Sequence, residues 1–221
     1  MKKTFLTLCL AALAPALQAQ TAGSWLVQGG VAHAAPSVQS GHLSAPSAAA
    51  TQIDVGADTQ PMLQLTRMLD DHWAVAVPLG RGFTHALYGA GAIANVGQIG
   101  TVSAQPFSVF GQYRFGEPQA RWRPYALLGL SYVRFHDAAG SATLNGINPA
   151  NPPGGSTGLS IESRWALSPG LGLVVQLDER WFVDASWSKT YLKTTATLST
   201  GQTLGATINP SITTLGVGLR F

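Results

Sequence analysis

From Ser24 onward, apolar and polar residues alternate with a period of two, the pattern of strands with one apolar face. The last nine residues show it most cleanly. Leu215, Val217, Leu219 and Phe221 fall on one side, and Thr214, Gly216, Gly218 and Arg220 on the other. In Trp181 to Ser188, Trp181, Val183, Ala185 and Trp187 oppose Phe182, Asp184, Ser186 and Ser188. In Ser163 to Val175, Trp165, Leu167, Leu171 and Leu173 oppose Arg164, Ser168, Gly170 and Gly172. Pro124 to Tyr132 sets Ala126, Leu128, Leu130 and Tyr132 against Tyr125, Gly129 and Ser131. Four less regular runs, Ser24 to Ala34, Pro61 to Leu69, His72 to Leu79 and Ser103 to Phe115, bring the expected strands to eight.

An even number of antiparallel strands can close on itself and leave no free edge. The connections alternate in length. Asp70-Asp71, Gly116 to Trp122 and Gln176 to Arg180 are short, whereas Pro36 to Gln60, Gly80 to Val102, Asp137 to Gly158 and Leu192 to Leu204 are long. The run from Arg123 to His136 reaches about 46 Å at ~3.3 Å per residue, or about 33 Å along a bilayer normal when tilted by ~45°. Trp25, Trp73, Tyr113, Phe115, Trp181 and Phe221 sit near strand ends, where amphipathic rings favour a membrane interface. A secreted β-sandwich shares the alternation but gives no common reason for these features. The expected fold is all-β, an eight-stranded antiparallel transmembrane β-barrel.

Composition narrows the compartment. Charged residues make up 10% of the 221, well below the ~25% of soluble domains, while a 46% apolar content excludes disorder. Beyond the N-terminus there is no apolar run of ~20 residues, so a helical span is not expected. Met1-Lys2-Lys3, the apolar stretch Thr4 to Leu13 and the small residues of Ala14 to Ala19 read as a secretory signal. Cleavage is expected after Ala19, with Ala14-Pro15-Ala16 as a second candidate. The expected organisation is a signal peptide over 1–19 and an outer-membrane barrel over 20–221. Cys9, the single cysteine, falls in the leader, which excludes disulfide and thiolate chemistry from the mature chain. Two of the 13 Lys and Arg residues are also in the leader, and the other 11 are scattered against 10 acids. No basic patch could neutralise a row of phosphates, so nucleic acid is not an expected partner.

Several motifs together resemble the OmpW family of small outer-membrane barrels, over most of the mature chain. Asp58-Thr59-Gln60 leading to Asp71-His72-Trp73-Ala74-Val75 is similar to the family's second strand, turn and third strand. Arg123-Pro124-Tyr125 with Gly129 and Tyr132 is like its most recognisable segment. Ser163, Trp165 and Asp178 to Trp181 resemble the sixth strand and its turn, and Asn209-Pro210 with Gly218-Leu219-Arg220-Phe221 the last strand. Two positions depart from the family. Gly82-Phe83-Thr84-His85 stands where Pro-Phe-x-His is usual, and Leu127 replaces a glycine. The resemblance implies passive uptake of small hydrophobic molecules across the bacterial outer membrane, with cargo released sideways through a gap in the wall. The expected partners are such solutes, outer-membrane lipid and lipopolysaccharide, and the barrel-assembly machinery through the strand ending in Phe221.

An eight-stranded barrel is filled by its own side chains, so a wide aqueous pore is excluded. Gly30, Gly129, Gly170, Gly172, Gly216 and Gly218 are expected to leave room inside. Alternation also turns Phe110, Leu127, Phe135 and Phe182 inward, as the candidate lining of an apolar lumenal pocket. Arg114, Glu162, Arg164, Asp184 and Arg220 are inward charges that would pair into a plug. Pro78 lacks a backbone donor, and Gly80 and Gly82 weaken pairing, so a lateral gap is expected near the outer ends of the second and third strands.

Catalytic readings find little support. His33, His42, His72, His85 and His136 show no metal-ligand spacing. A lipid-modifying barrel hydrolase needs a serine, a histidine and an acid at one height; His136-Asp137 is the nearest candidate, with no serine expected beside it. Neither Gly89-Ala90-Gly91 nor Gly170-Leu171-Gly172 is a dinucleotide fingerprint. No cofactor, metal or enzymatic activity is expected. The alternative to uptake is a structural or adhesive barrel whose long loops bind an external partner.

Overall fold

Gln20 and residues 22–221 are described by the structure, a computed structural model. The expected leader at 1–19 lies outside the described residues. Eight strands close a barrel: β1 (Trp25–Ala35), β2 (Asp58–Met68), β3 (Trp73–Gly80), β4 (Gln98–Arg114), β5 (Trp122–Gly140), β6 (Arg164–Gln176), β7 (Trp181–Lys189) and β8 (Ser211–Arg220). Each pairs antiparallel with its neighbour in chain order, and β1 meets β8 from Leu26↔Arg220 to Ala35↔Ser211.

Alternation decides which side chains face the lumen. On β5, Arg123, Tyr125, Leu127, Ser131 and Val133 are buried, while Leu128 and Leu130 are half-exposed on the outer face. Leu63, Leu167, Leu171, Leu215 and Val217 continue that exposed apolar belt around the barrel. In water such a belt would drive aggregation; in a bilayer it is the solvent-matched surface. Two aromatic rings bound it. Trp25, Trp73, Phe115, Trp122, Trp181 and Phe221 mark one end. Phe107, Tyr132 and Trp165 are register neighbours on β4, β5 and β6 at the other. From Trp122 to Tyr132 the strand covers about 33 Å, or roughly 23 Å along the normal at a ~45° tilt, which matches an outer-membrane apolar band.

Two of the three turns below the lower aromatic ring are tied by a carboxylate. Asp70 Oδ1 accepts from the backbone N–H of His72 and Trp73, both at 2.7 Å. Asp178 Oδ1 accepts from Arg180 at 2.7 Å and Trp181 at 2.8 Å. These backbone donors hold both carboxyls below their usual pKa.

At the other end, the segments expected as long loops carry strands of their own. Gly80 to Val102 contains a strand, Phe83–Gly91, that pairs with β4 from Phe83↔Ala104 to Tyr88↔Gln98. Thr51–Val55 pairs with its far edge. A second sheet above the barrel is ordered Gln39–Ser40, Thr203–Thr207, Lys193–Leu198, Leu159–Ile161. After β5, Ser141 caps the short helix Ala142–Ile147 by accepting from Leu144 N. A buried polar knot joins three of these segments. Gln202 Nε2 donates to the Pro46 carbonyl at 2.6 Å and to Asn148 Oδ1 at 2.9 Å, and Asn148 Nδ2 donates to Thr157 and Thr200 hydroxyls.

Candidate functional site

The lumen divides into a polar floor, an apolar seal and an open vestibule. In the floor, Arg114 and Arg123 are fully buried near the lower turns. Arg114 donates to Gln20 Oε1 at 2.5 Å and to Gln112 Oε1 at 3.1 Å. Arg123 donates to the Asp71 carbonyl at 2.6 Å and to Gln20 Oε1 at 3.3 Å. Above them, the Tyr125 hydroxyl donates to Asp184 at 3.0 Å, and the Arg114 guanidinium lies 5.6 Å from the Tyr125 ring centre. Both guanidiniums are held by neutral carbonyl acceptors, and of the two only Arg114 lies close to the buried carboxylate of Asp184.

Of the five expected plug residues, only Arg114 and Asp184 come together here. Glu162 and Arg164 form their own half-exposed pair, 2.6 Å apart, at the opposite end of the barrel. Glu162 lies two residues before β6 begins, outside the strand whose alternation would turn it inward. Arg220 donates to the Glu179 carbonyl in a lower turn. Arg123, Gln20 and Gln112 were not among the expected plug residues. Arg123 shares a face with Tyr125 and Leu127, so alternation within the Arg-Pro-Tyr segment already pointed to it.

The seal packs Leu26, Met68, Ala74, Tyr125, Leu127, Val174 and Phe182, with Phe110 against it. Inner-face glycines do not leave this level empty. A Cβ on Gly129 would lie 2.3 Å from the Phe110 ring, one on Gly172 2.2 Å from Tyr125, and one on Gly218 2.3 Å from Phe182. The aromatic rings occupy the room those glycines make. Phe182, expected as lining, is therefore part of the sealed layer, 1% exposed.

Above the seal lies an apolar cavity of about 170 Å³. Phe110 and Leu127 form its base, and Phe135, Val133, Val102 and Ile212 part of its wall. Six of the hydroxyls that reach it bond one another in pairs, Ser108 with Ser131 at 2.7 Å, Ser168 with Thr190 at 2.8 Å and Ser186 with Thr214 at 2.6 Å, while Thr194 donates to the Glu162 carbonyl at 2.6 Å.

The wall beside this cavity is broken. β3 and β4 pair only from Trp73↔Tyr113 to Ala76↔Phe110, and β4 next finds a partner at Phe83↔Ala104. Between those rungs, Val77 to Gly80 and Gln105 to Val109 have no ladder across the break. Pro78 stands on one edge and Pro106 on the other, and both line the cavity. Neither can donate a backbone hydrogen bond, so neither can contribute a donor to zip the edges. The side chain of Gln105 spans the top, donating to the Gly80 carbonyl at 3.4 Å. The ladder between the second and third strands, by contrast, runs unbroken from Met68↔Ala74 to Met62↔Gly80. The break thus lies on the other flank of the third strand from the one expected. Pro78 and Gly80 border it, while Gly82 closes it above, where its backbone approaches the Ala104 carbonyl. Pro106 is not marked out by the sequence, because the run around it reads as an uninterrupted strand.

No group of three or more His, Cys, Asp or Glu among the described residues could hold a metal ion. His136 Nδ1 and Asp137 Oδ2 lie 2.8 Å apart. Contrary to expectation, a serine does stand at that height: Ser103 is the cross-strand partner of His136. Its hydroxyl instead faces Thr84 Oγ1 at 3.5 Å.

Comparison with known sequences shows one family, and comparison with solved structures shows the fold. The model of the OmpW family matches residues 21–221. Outer membrane protein W of Vibrio cholerae is 30% identical over 227 residues, covering 100% of both chains. That of Escherichia coli K12 is 28% identical, covering 74% of each. Among solved structures, the outer membrane protein OprG of Pseudomonas aeruginosa superposes with a TM-score of 0.80 at 22% identity, over 92% of this chain and 99% of that one. Outer membrane protein AlkL superposes at 0.65 with 18% identity, over 100% and 97%.

Proposed function

We propose, for a chain that belongs to the OmpW family and resides in the bacterial outer membrane, that it passively admits small hydrophobic molecules and releases them sideways into the bilayer. One observation carries this reading: the apolar cavity is sealed towards the lower turns and continuous with a break in the barrel wall. A solute entering from outside gains about 25 cal/mol per Å² of apolar surface it buries. A dry cavity of ~150 Å³ holds a molecule the size of benzene, so the vestibule suits a single small ring or a short chain. It then faces lipid through the break rather than the periplasm through the floor. The chemistry needed is desolvation and passage; no bond is made or cleaved, and we read the protein as a non-enzymatic barrel.

Phe110, Leu127 and Phe135 are the proposed lining, Pro78, Gly80 and Pro106 the proposed exit, and Arg114, Arg123 and Asp184 the proposed floor. Lipopolysaccharide would surround the outer aromatic ring. Barrel-assembly machinery would engage β8 and Phe221.

The test is uptake in cells lacking their own hydrophobic-uptake barrels, with surface levels matched by heat-shifted gel mobility. Cells carrying this protein should take up toluene faster than cells without it, and Leu127→Arg should abolish the gain. Correctly inserted protein that changes no rate would overturn the reading and favour a structural or adhesive role for the surface sheet.

A further inference from the structure

The outer wall changes character at the level of the outer aromatic ring. Ser188, Thr190, Leu192 and Thr194 line the central cavity, so the positions between them point away from the lumen. Those positions continue the outward face of β7 as Trp187, Lys189, Tyr191 and Lys193, aromatic and cation in turn. Trp187 and Tyr191 are both exposed. The Leu167↔Tyr191 bridge sets this line beside β6, where Leu167 belongs to the apolar belt and Trp165 to the aromatic ring. On the next strand, β5, Arg134 is exposed two residues beyond Tyr132, whose ring lies 5.2 Å from that of Trp165.

An open groove runs between the start of β6 and residues 191–195, lined by Arg164, Trp165, Tyr191 and Lys193. The rest of its lining, Thr194, Thr195 and Asn209, is neutral. Arg134 and Lys193 have no side-chain hydrogen bond or ion pair among the described residues, and Lys189 reaches only the Ser211 hydroxyl, at 3.5 Å. Two acids stand at this end of the same arc, and both are engaged: Glu162 with Arg164 at 2.6 Å and Asp137 with His136 at 2.8 Å. The arc from β5 to β7 therefore carries a surplus of positive charge. The flank beyond it does not. Across β8, β1 and β2, the rung of Trp187 continues as Thr213, His33 and Thr59, and that of Lys189 as Ser211 and Ala35, with no lysine or arginine. Arg81 stands apart beside the wall break, where it lines the inner cavity.

We propose that this arc binds lipid A, the phosphorylated diglucosamine lipid of the outer leaflet. Arg134, Lys189, Lys193 and the Arg164 donors that Glu162 leaves would hold its phosphates, with Trp165 and Tyr191 against the acyl chains. Position selects the leaflet: this end of the barrel carries the long segments, which face outward in such barrels. Aromatic rings at that level sit where headgroup meets hydrocarbon. Spacing selects the headgroup. Arg134 and Lys193 lie on strands two apart, about 10 Å at ~4.8 Å per strand. Two phosphates on a disaccharide match that spread better than the single phosphodiester of a glycerophospholipid. The site gives residues to the lipopolysaccharide contact suggested above; it rests on the outer-membrane location and is independent of solute uptake.

The folded protein, purified in dodecyl maltoside, would be titrated with bisphosphorylated lipid A, with dephosphorylated lipid A and with phosphatidylglycerol, and bound lipid counted by native mass spectrometry. Each partly exposed charge contact contributes roughly threefold, so the wild type should hold bisphosphorylated lipid A about tenfold more tightly than either of the others. Lys189→Gln/Lys193→Gln should remove about that factor. Arg121→Gln/Arg180→Gln, which takes the same charge from the lower turns, should bind like the wild type. Heat-shifted mobility reports that each variant is folded. Equal affinity for lipid A with and without phosphates overturns the site, and that comparison needs no variant. Phosphatidylglycerol held as tightly as lipid A also overturns it, as does ready displacement of lipid A by inorganic phosphate, the mark of a site for free anions. Lipid A affinity that survives in the lysine variant, or falls equally in the lower-turn variant, overturns the placement. Every one of these outcomes leaves the uptake reading standing, because that is tested by solute entry into cells.

Discussion

Adding one methyl group at Gly129 tests whether the cavity is the working space of the barrel. The new Cβ would lie 2.3, 2.5 and 2.9 Å from three carbons of the Phe110 ring. Carbons in contact sit ~3.5–4.0 Å apart, so the ring must retreat by more than ~1 Å. The seal below is packed and the cavity above is empty, which fixes the direction of retreat. A Phe side chain carries ~150–250 Å² of surface; with about a quarter facing the cavity, the shift sweeps roughly 50 Å³. That is close to a third of the ~170 Å³ available. Overpacking costs ~1–3 kcal/mol, and free space to move into places Gly129→Ala near the lower figure. Surface-matched cells would be given toluene and naphthalene. Folding would be followed by heat-shifted mobility through a urea series. Gly129→Ala should keep its heat shift, slow naphthalene severalfold more than toluene, and recover in the Gly129→Ala/Phe110→Leu double variant, where the clash is gone. Equal uptake of both solutes by folded Gly129→Ala and wild type would refute the argument, because the space lost would then not be the space used.

Gly218→Ala should behave differently: its Cβ meets the Phe182 ring at 2.3 Å and the Val27 carbonyl at 2.7 Å with no cavity to accept the ring, so the heat-shifted form should fall sharply. Pro78→Thr/Pro106→Thr returns a backbone donor to each edge of the break; slower toluene uptake at unchanged heat shift is expected, and an unchanged rate would argue against lateral exit. Asp184→Ala leaves Arg114 without its nearest carboxylate and should cost about 3 kcal/mol in a urea midpoint. It should open no steady ion conductance, since Phe182 and Leu127 still close the lumen. Asp70 and Asp178 have folded pKa values below their unfolded ones, so their contribution is full above the unfolded value near ~3.9 and fades as pH falls through the folded one. Asp70→Asn/Asp178→Asn should flatten the acid limb of stability below about pH 4, checked by unfolding midpoints across that range.

Much of the barrel was legible because its rules are local. A period of two assigns Leu215, Val217 and Leu219 to lipid without knowledge of any neighbour, and an acid before an exposed aromatic at Asp70 and Asp178 is enough to mark a turn. The Phe83–Gly91 strand was not legible: Gly80 and Gly82 precede it, Gly89 and Gly91 weaken its end, and its stability comes from pairing with β4 and Thr51–Val55. The contents of the lumen were half legible. That glycines face inward follows from parity; that Phe110 lies over Gly129 and Tyr125 over Gly172 depends on register between strands. Likewise, Pro78 announces a missing donor, but only the pairing of β3 with both neighbours tells which flank is open.

The polar knot of Pro46, Asn148, Thr157, Thr200 and Gln202 bears on how this surface can change over generations. Here, altering any one of the three joined segments strips a buried amide or carbonyl in another of its partner, at ~1–3 kcal/mol for each group orphaned. Viable variants should therefore arrive as matched sets, and a chimera that exchanges the segment around Asn148 alone should fold poorly until those around Pro46 and Gln202 follow from the same donor.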